Sequence, residues 1–261
     1  VQNEYSDAWL EDAKRLCQQI GQAYIDVIVD QCSVDYSVIP ALSGFSPQIK
    51  WQSLYKDLPE DIYPEDAPLL IRIVINDLQQ WNWLQALAKE MSTKAPLLIL
   101  CSSWPLSRLG KWLTQIANAR QEGREGIFRF WDTRIFPHLF TDILDTEQQE
   151  QLKYPVLFWR WQDLDGQPAF LAGRGSISKH DEAAQQLDFS DRQYEKFMCL
   201  CDAKRFVAQQ LPIINMFSSK ESQFKACFEG MVKATQAGVL FDDERDAFAI
   251  DHLTRLGNQI E

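Results

Sequence analysis

Asp132 and Arg134 are the residues whose types and spacing could most readily do chemistry, a carboxylate for proton transfer with a guanidinium two positions on. They lie in the stretch Gly126-Ile127-Phe128-Arg129-Phe130-Trp131-Asp132-Thr133-Arg134-Ile135-Phe136. Period-two alternation from Ile127 to Trp131 predicts a strand, with Ile127, Arg129 and Trp131 on one side and Phe128 and Phe130 on the other. Asp132 is a good N-cap, so a helix is predicted from Thr133 to about Leu144. The pair would then sit just beyond the C-terminal end of a strand, where open α/β sheets place ligands. Asp30, ending the predicted strand Tyr24–Asp30, could join them. The plainer reading is a cap plus an ion pair that holds the sheet edge to its helix. It is favoured, because structural ion-pair networks are common. Arg129, flanked by aromatics, must also find a partner, either Asp30 or Asp26. From a buried pair its removal would cost about 3–5 kcal/mol.

Other chemistry finds less support. Gly173-Arg174-Gly175-Ser176 lacks Walker spacing and reads as a flexible linker. Cys199 and Cys201 lie two apart on a predicted helix and do not share a face. His138, His180 and His252 occupy separate regions without ligand spacing. There is no Gly-x-Ser-x-Gly elbow. No catalytic residue, metal or cofactor is therefore assigned, and the enzyme alternative rests on Asp30, Asp132 and Arg134 alone.

The elements that must position these residues follow from periodicity. Ser6 to Gln19 predicts a helix stopped by Gly21. Leu69–Ile75 and Pro96–Cys101 are apolar strands, each followed by a helix: Leu78–Met91 capped by Asn76 or Asp77, and Pro105–Ala117 capped by Ser102 or Ser103. Strand, helix, strand, helix, strand, helix predicts an α/β fold, a mostly parallel sheet covered by helices. Pro155–Trp161 and Ala169–Ala172 flank Asp163-Leu164-Asp165-Gly166 and predict a hairpin at the sheet edge. The acidic, proline-studded run 57–68 reads as an exposed loop, either a contact loop or, the favoured reading, a solvated connector. The boundaries expected are an α/β lobe over 1–172, a linker over 173–188 and a helical lobe over 189–261. That lobe is rich in phenylalanine. Phe197, Phe206, Phe217, Phe224, Phe228 and Phe248 either pack together or form a groove for an apolar segment of a partner.

A net charge of −11 argues against nucleic acid or an anionic membrane as the main partner. No apolar run is long enough to span a bilayer, and no signal peptide is visible, so a cytoplasmic protein is expected. Six scattered cysteines among apolar neighbours read as free thiols.

Three stretches resemble the small-adaptor family of bacterial type VI secretion, the Tap/TEC effector chaperones. The first is Tyr24-Ile25-Asp26-Val27-Ile28-Val29-Asp30, similar to an early Tyr-x-x-x-Asp-type strand. The second is the Ser103-led helix carrying Leu106, Leu109 and Leu113. The third and most specific is Phe128-Arg129-Phe130-Trp131-Asp132-Thr133-Arg134-Ile135-Phe136, close to a Phe-Arg-Phe-Tyr-Asp-Pro-Arg signature with threonine in place of proline. The resemblance runs from about Trp9 to Trp161. It implies a cytoplasmic, non-enzymatic protein that binds an effector toxin and loads it onto the VgrG spike. It also implies a mainly structural motif of Asp30, Ser103, Phe128, Arg129, Phe130, Trp131, Asp132 and Arg134. An immunity-type protein that blocks a toxin is a further alternative.

Overall fold

A computed structural model describes residues 6–94, 96–177, 183–209 and 217–257. His180 and the middle of the 173–188 segment lie outside them. The chain divides into two compact units, one of residues 1–140 and 144–188 and another of residues 141–143 and 189–261.

The first unit runs α1 (Ala8–Gln19), β1 (Tyr24–Val29), α2 (Ile39–Leu42), β2 (Lys50–Ser53), β3 (Leu69–Val74), α3 (Leu78–Met91), β4 (Leu98–Cys101), α4 (Leu106–Ala117), β5 (Asn118–Gln121), β6 (Arg124–Ile127), α5 (Phe136–His138), α6 (Thr146–Lys153), β7 (Phe158–Gln162) and β8 (Pro168–Ala172). Asp77 caps α3 by accepting from the Gln79 and Gln80 amides at 3.0 and 3.1 Å. Asp145 and Gln148 form a capping box on α6. Neither candidate serine caps α4. The cap position is Pro105, while Ser102 turns inward and donates to the Pro155 carbonyl at 2.5 Å.

The sheet is not parallel. Its order is β2-β3-β1-β4-β7-β8, and every neighbouring pair is antiparallel. Because β1 runs antiparallel to both β3 and β4, those two run the same way, as the strand–helix–strand pattern requires. They are not neighbours, since β1 already occupies the place between them. The alternation of elements records direction and does not record which strand fills the gap. Strands apolar on both sides follow from helices on both faces. Ile25, Val27, Ile71, Ile73 and Ile99 pack with Leu10, Ala13 and Cys17 of α1 and with Trp81, Leu84 and Ala88 of α3. On the opposite face Trp159 meets Phe130 and Phe136, and Gln52 lies so close to Gly110 of α4 that a Cβ there would approach it to 2.6 Å. The β7–β8 hairpin forms the sheet edge, turned by Asp163, whose carboxylate accepts from the Asp165 and Gln167 amides at 2.9 and 2.7 Å.

Two local expectations around the Gly126–Phe136 stretch are overturned. The strand β6 stops at Ile127. The Phe130 amide donates to the Phe128 carbonyl at 2.9 Å, a three-residue turn that breaks the alternation, so Phe128, Phe130 and Trp131 are all buried. Nor does a helix run from Thr133 to Leu144. The chain makes turns, the three-residue α5 and a π turn over Leu139–Ile143. Pro137 explains this, because it has no amide to bond the carbonyl four residues back and its ring would collide with it.

The second unit holds α7 (Asp191–Gln209), α8 (Lys220–Gln236) and α9 (Asp242–Gly257). A two-residue strand, β9 (Asp188–Phe189), lies at the boundary. Buried Arg245 ties the three helices together. It bonds Asp202 of α7 at 2.9 Å, Thr235 of α8 at 2.9 Å and the Val239 carbonyl at 3.2 Å. Phe206, Phe224 and Phe228 are buried, while Phe197, Phe217 and Phe248 are partly buried. Among the described residues of this unit, the apolar side chains left most open are instead Leu240 and Phe241, at 80% and 72% exposure in the turn before α9.

Candidate functional site

The end of β1 organises the residues singled out in the sequence. Asp30 follows the strand and caps a short 3-10 turn, accepting from the Cys32 amide at 3.2 Å. Its other oxygen accepts from Arg129 and from the Trp131 indole, the latter at 3.2 Å. Arg129 thus pairs with Asp30, one of the two acids expected. The burial assumed for that pair does not hold, because the Arg129 side chain is 42% exposed. Burial alone would lower the Arg129 pKa, yet the charge and hydrogen bond of Asp30 hold it above its ordinary value.

Asp26 is taken by Arg72 instead. The two face each other across β1 and β3, with Arg72 Nε and Nη2 donating at 2.7 and 2.8 Å and Nη2 also reaching the Trp104 carbonyl at 2.9 Å. The Tyr24 ring lies over the guanidinium at 3.8 Å. Burial works against the charge on both partners and pushes the Asp26 carboxyl up. On Arg72 the hydrogen bond and charge of Asp26 outweigh burial and hold the guanidinium above its ordinary value. This pair is buried in the sheet. Arg72 was visible in the sequence as the one charge in an apolar strand, the signal that could have located it.

Asp132 and Arg134 pair with each other. Arg134 Nε and Nη2 donate to both Asp132 oxygens at 2.7 and 2.8 Å, and the Arg134 amide donates to Oδ1 at 3.1 Å. Asp30 therefore bonds Cys32, Arg129 and Trp131, whereas Asp132 bonds Arg134. The three candidate catalytic residues belong to two separate pairs. A cleft of about 350 Å3 opens beside Lys50, Gln52, Arg72, Pro105 and Ser107, and none of Asp30, Asp132 and Arg134 lines it. Ser103 is exposed at the start of the α4 region.

Around these pairs the aromatic residues interlock. Phe130 meets Phe128, Trp131 and Trp159 at 6.1, 5.2 and 6.3 Å between ring centres, and Phe136 meets Trp159 and Trp161 at 5.3 and 5.1 Å. Such offset and edge-on pairs add to the area they bury. Tyr55 stands 6.3 Å from Trp131, and burial pushes its phenol up to about 12.

All six cysteines are free. Burial and the neighbouring Asp30 push the Cys32 thiol up, and a hydrogen bond to Cys17 with burial pushes Cys101 far up. Among the described residues no group of three or more His, Cys, Asp or Glu could hold a metal ion. No described helix is long and apolar enough to cross a membrane.

The acidic loop is the feature whose order the sequence least suggested. Gln31, only 1% exposed, donates to the Pro64 and Ala67 carbonyls at 3.1 and 2.8 Å and accepts from Ser37 and the Val38 amide at 2.8 and 2.9 Å. Cys32 adds a bond to the Asp66 carbonyl at 2.8 Å. The loop is pinned at its C-terminal end and holds Ile62 and Tyr63 in solvent at 69% and 61% exposure, between Asp61 and Glu65.

The first unit is thus an antiparallel sheet faced by helices, with Asp26–Arg72, Asp30–Arg129 and Asp132–Arg134 paired internally and Ile62 and Tyr63 held in solvent on a loop. Residues 27–151, just under half of the chain, match a domain family described as a domain of unknown function, DUF4123. No curated protein and no solved structure matches the chain.

Proposed function

We propose that this protein is a chaperone and adaptor of type VI secretion. It binds an effector toxin in the cytoplasm of the producing cell and brings it to the VgrG spike, acting by binding and not by turnover. The observation that carries this reading is the DUF4123 match across Val27 to Gln151, a domain associated with type VI effector adaptors, which takes in the Phe128–Phe136 signature. The geometry supports it. Asp30, Arg129, Asp132 and Arg134 are engaged with one another in two ion pairs, which suits a motif that stabilises a scaffold.

Co-expression with the toxin encoded beside this protein tests the proposal. The toxin is expected to become more soluble and to co-purify with the chain. A toxin equally soluble alone, and absent from the purified chain, sinks it.

A further inference from the structure

Among the described residues, nothing pairs with the outer edge of β8. We propose that it takes an extended segment of the bound partner as a seventh strand; the inference rests on the adaptor reading and assigns that reading one of its contact surfaces. The register fixes which groups face outward. Phe158 lies opposite Ala172 and Arg160 opposite Phe170, while the Gly173 amide donates to Leu157 and the Asp163 amide to Gln167, both at 2.9 Å. In an antiparallel ladder, bonded and non-bonded pairs alternate. Leu171 and Ala169 therefore direct their amides and carbonyls to β7. Those of Phe170 and Ala172, with the Pro168 carbonyl, point away from the sheet. Among the described residues these outward groups have no partner, since β8 ends the strand order.

The two edges of the sheet differ in defence. Edge strands avoid unwanted pairing through charges, prolines or a covering helix. The β2 edge carries Lys50 and lies under α4, where Gln52 meets Gly110. The β8 edge reads Pro168-Ala169-Phe170-Leu171-Ala172 and has no charge; its one proline stands at the first position and guards only the start of the strand, and Phe170 is 50% exposed although its ring stacks on Phe158 at 5.9 Å. Beyond Ala172 the edge closes, because the Arg174 amide already donates to the Lys153 carbonyl at 2.8 Å. The opening is one short strand long. Outward amides and carbonyls at strand spacing are met by another extended backbone, as in β-augmentation, and the half-covered Phe170 ring asks for an apolar side chain beside it.

A second copy of the chain fits less well. Five residues paired with their own image bury far less than the roughly 1,000 Å2 of a stable interface. Two chains of net charge −11 also repel. The occupant is therefore a strand of the partner, whose other contacts lie elsewhere.

The test uses the full chain with the toxin encoded beside it. Ala172→Pro deletes an outward amide and leaves the ladder to β7 intact, because Leu171 and Gly173 carry the inward bonds. It is expected to weaken toxin binding at least tenfold with an unchanged circular dichroism spectrum. Amide exchange in the wild-type complex supplies an independent reading: Phe170 and Ala172 should be unprotected in the free chain and protected when bound. If Ala172→Pro fails to fold, Phe170→Lys and the exchange data carry the test. A toxin that binds while both amides exchange as in the free chain overturns the edge proposal and leaves the adaptor reading standing. If no complex forms, both readings fall. A wild-type dimer that Ala172→Pro makes monomeric overturns the choice of occupant.

Discussion

Arg72 sits directly across the β1–β3 ladder from Asp26, and its Nε and Nη2 donate to the two carboxylate oxygens at 2.7 and 2.8 Å. The Asp26 side chain is fully buried and that of Arg72 is 11% exposed, so neither charge can turn to water if its partner is lost. Arg72→Met alone is expected to cost about 3–5 kcal/mol in urea denaturation, and the double variant Asp26→Leu/Arg72→Met to recover most of it. Additive losses in the double variant would show that the two side chains do not act as a pair.

Arg129 should behave differently, because water reaches its guanidinium. Arg129→Ala is expected to cost about 1 kcal/mol or less, the range of exposed ion pairs. Asp30→Ala removes the acceptor of Arg129, of the Trp131 indole and of the Cys32 amide together, and should cost about 2–3 kcal/mol. A larger loss for Arg129→Ala than for Asp30→Ala, measured side by side, would contradict the geometry at the end of β1.

Much of this was legible in the sequence, and the errors have physical causes. Helices α1, α3 and α4 and the edge hairpin follow from periodicity and turn residues, and of the caps expected for these helices only that of Asp77 on α3 is found. Arg129 does pair with an acid at the end of β1, but the burial expected to demand that pairing is absent, because water reaches its guanidinium. Strand adjacency was not legible, since no local pattern states that β1 lies between β3 and β4. The Phe128–Trp131 run alternates like a strand, yet a three-residue turn lets every aromatic face inward, a tertiary outcome that local alternation does not encode. Gln31 looks like any polar loop residue, and only the fold reveals its four bonds to the surrounding loops.

Gln31→Ala is accordingly expected to loosen the acidic loop before the sheet. It strands buried carbonyls and an amide, costs about 1–3 kcal/mol and should raise amide exchange and protease cleavage selectively over residues 57–68. Uniform loosening across the sheet unit would mean that the loop is not a separable element.

Tyr55 gives a dependence on alkaline pH. Burial raises its phenol from 10.0 to about 12, so the folded state keeps the proton that the unfolded chain gives up near 10. Its contribution to stability is full below pH 10 and is lost as pH rises through about 12. Tyr55→Phe should therefore lose less stability than the wild type between those values, read by melting temperature against pH. Parallel curves would place Tyr55 in water.

The central claim is that the chain joins an effector to the secretion spike. Light scattering coupled to size exclusion, on mixtures of the purified chain, the neighbouring toxin and VgrG, tests it most directly. The account predicts one species containing all three proteins, and no toxin–VgrG species when the chain is omitted. Toxin that binds VgrG equally well without the chain, or a chain that binds neither, would contradict it.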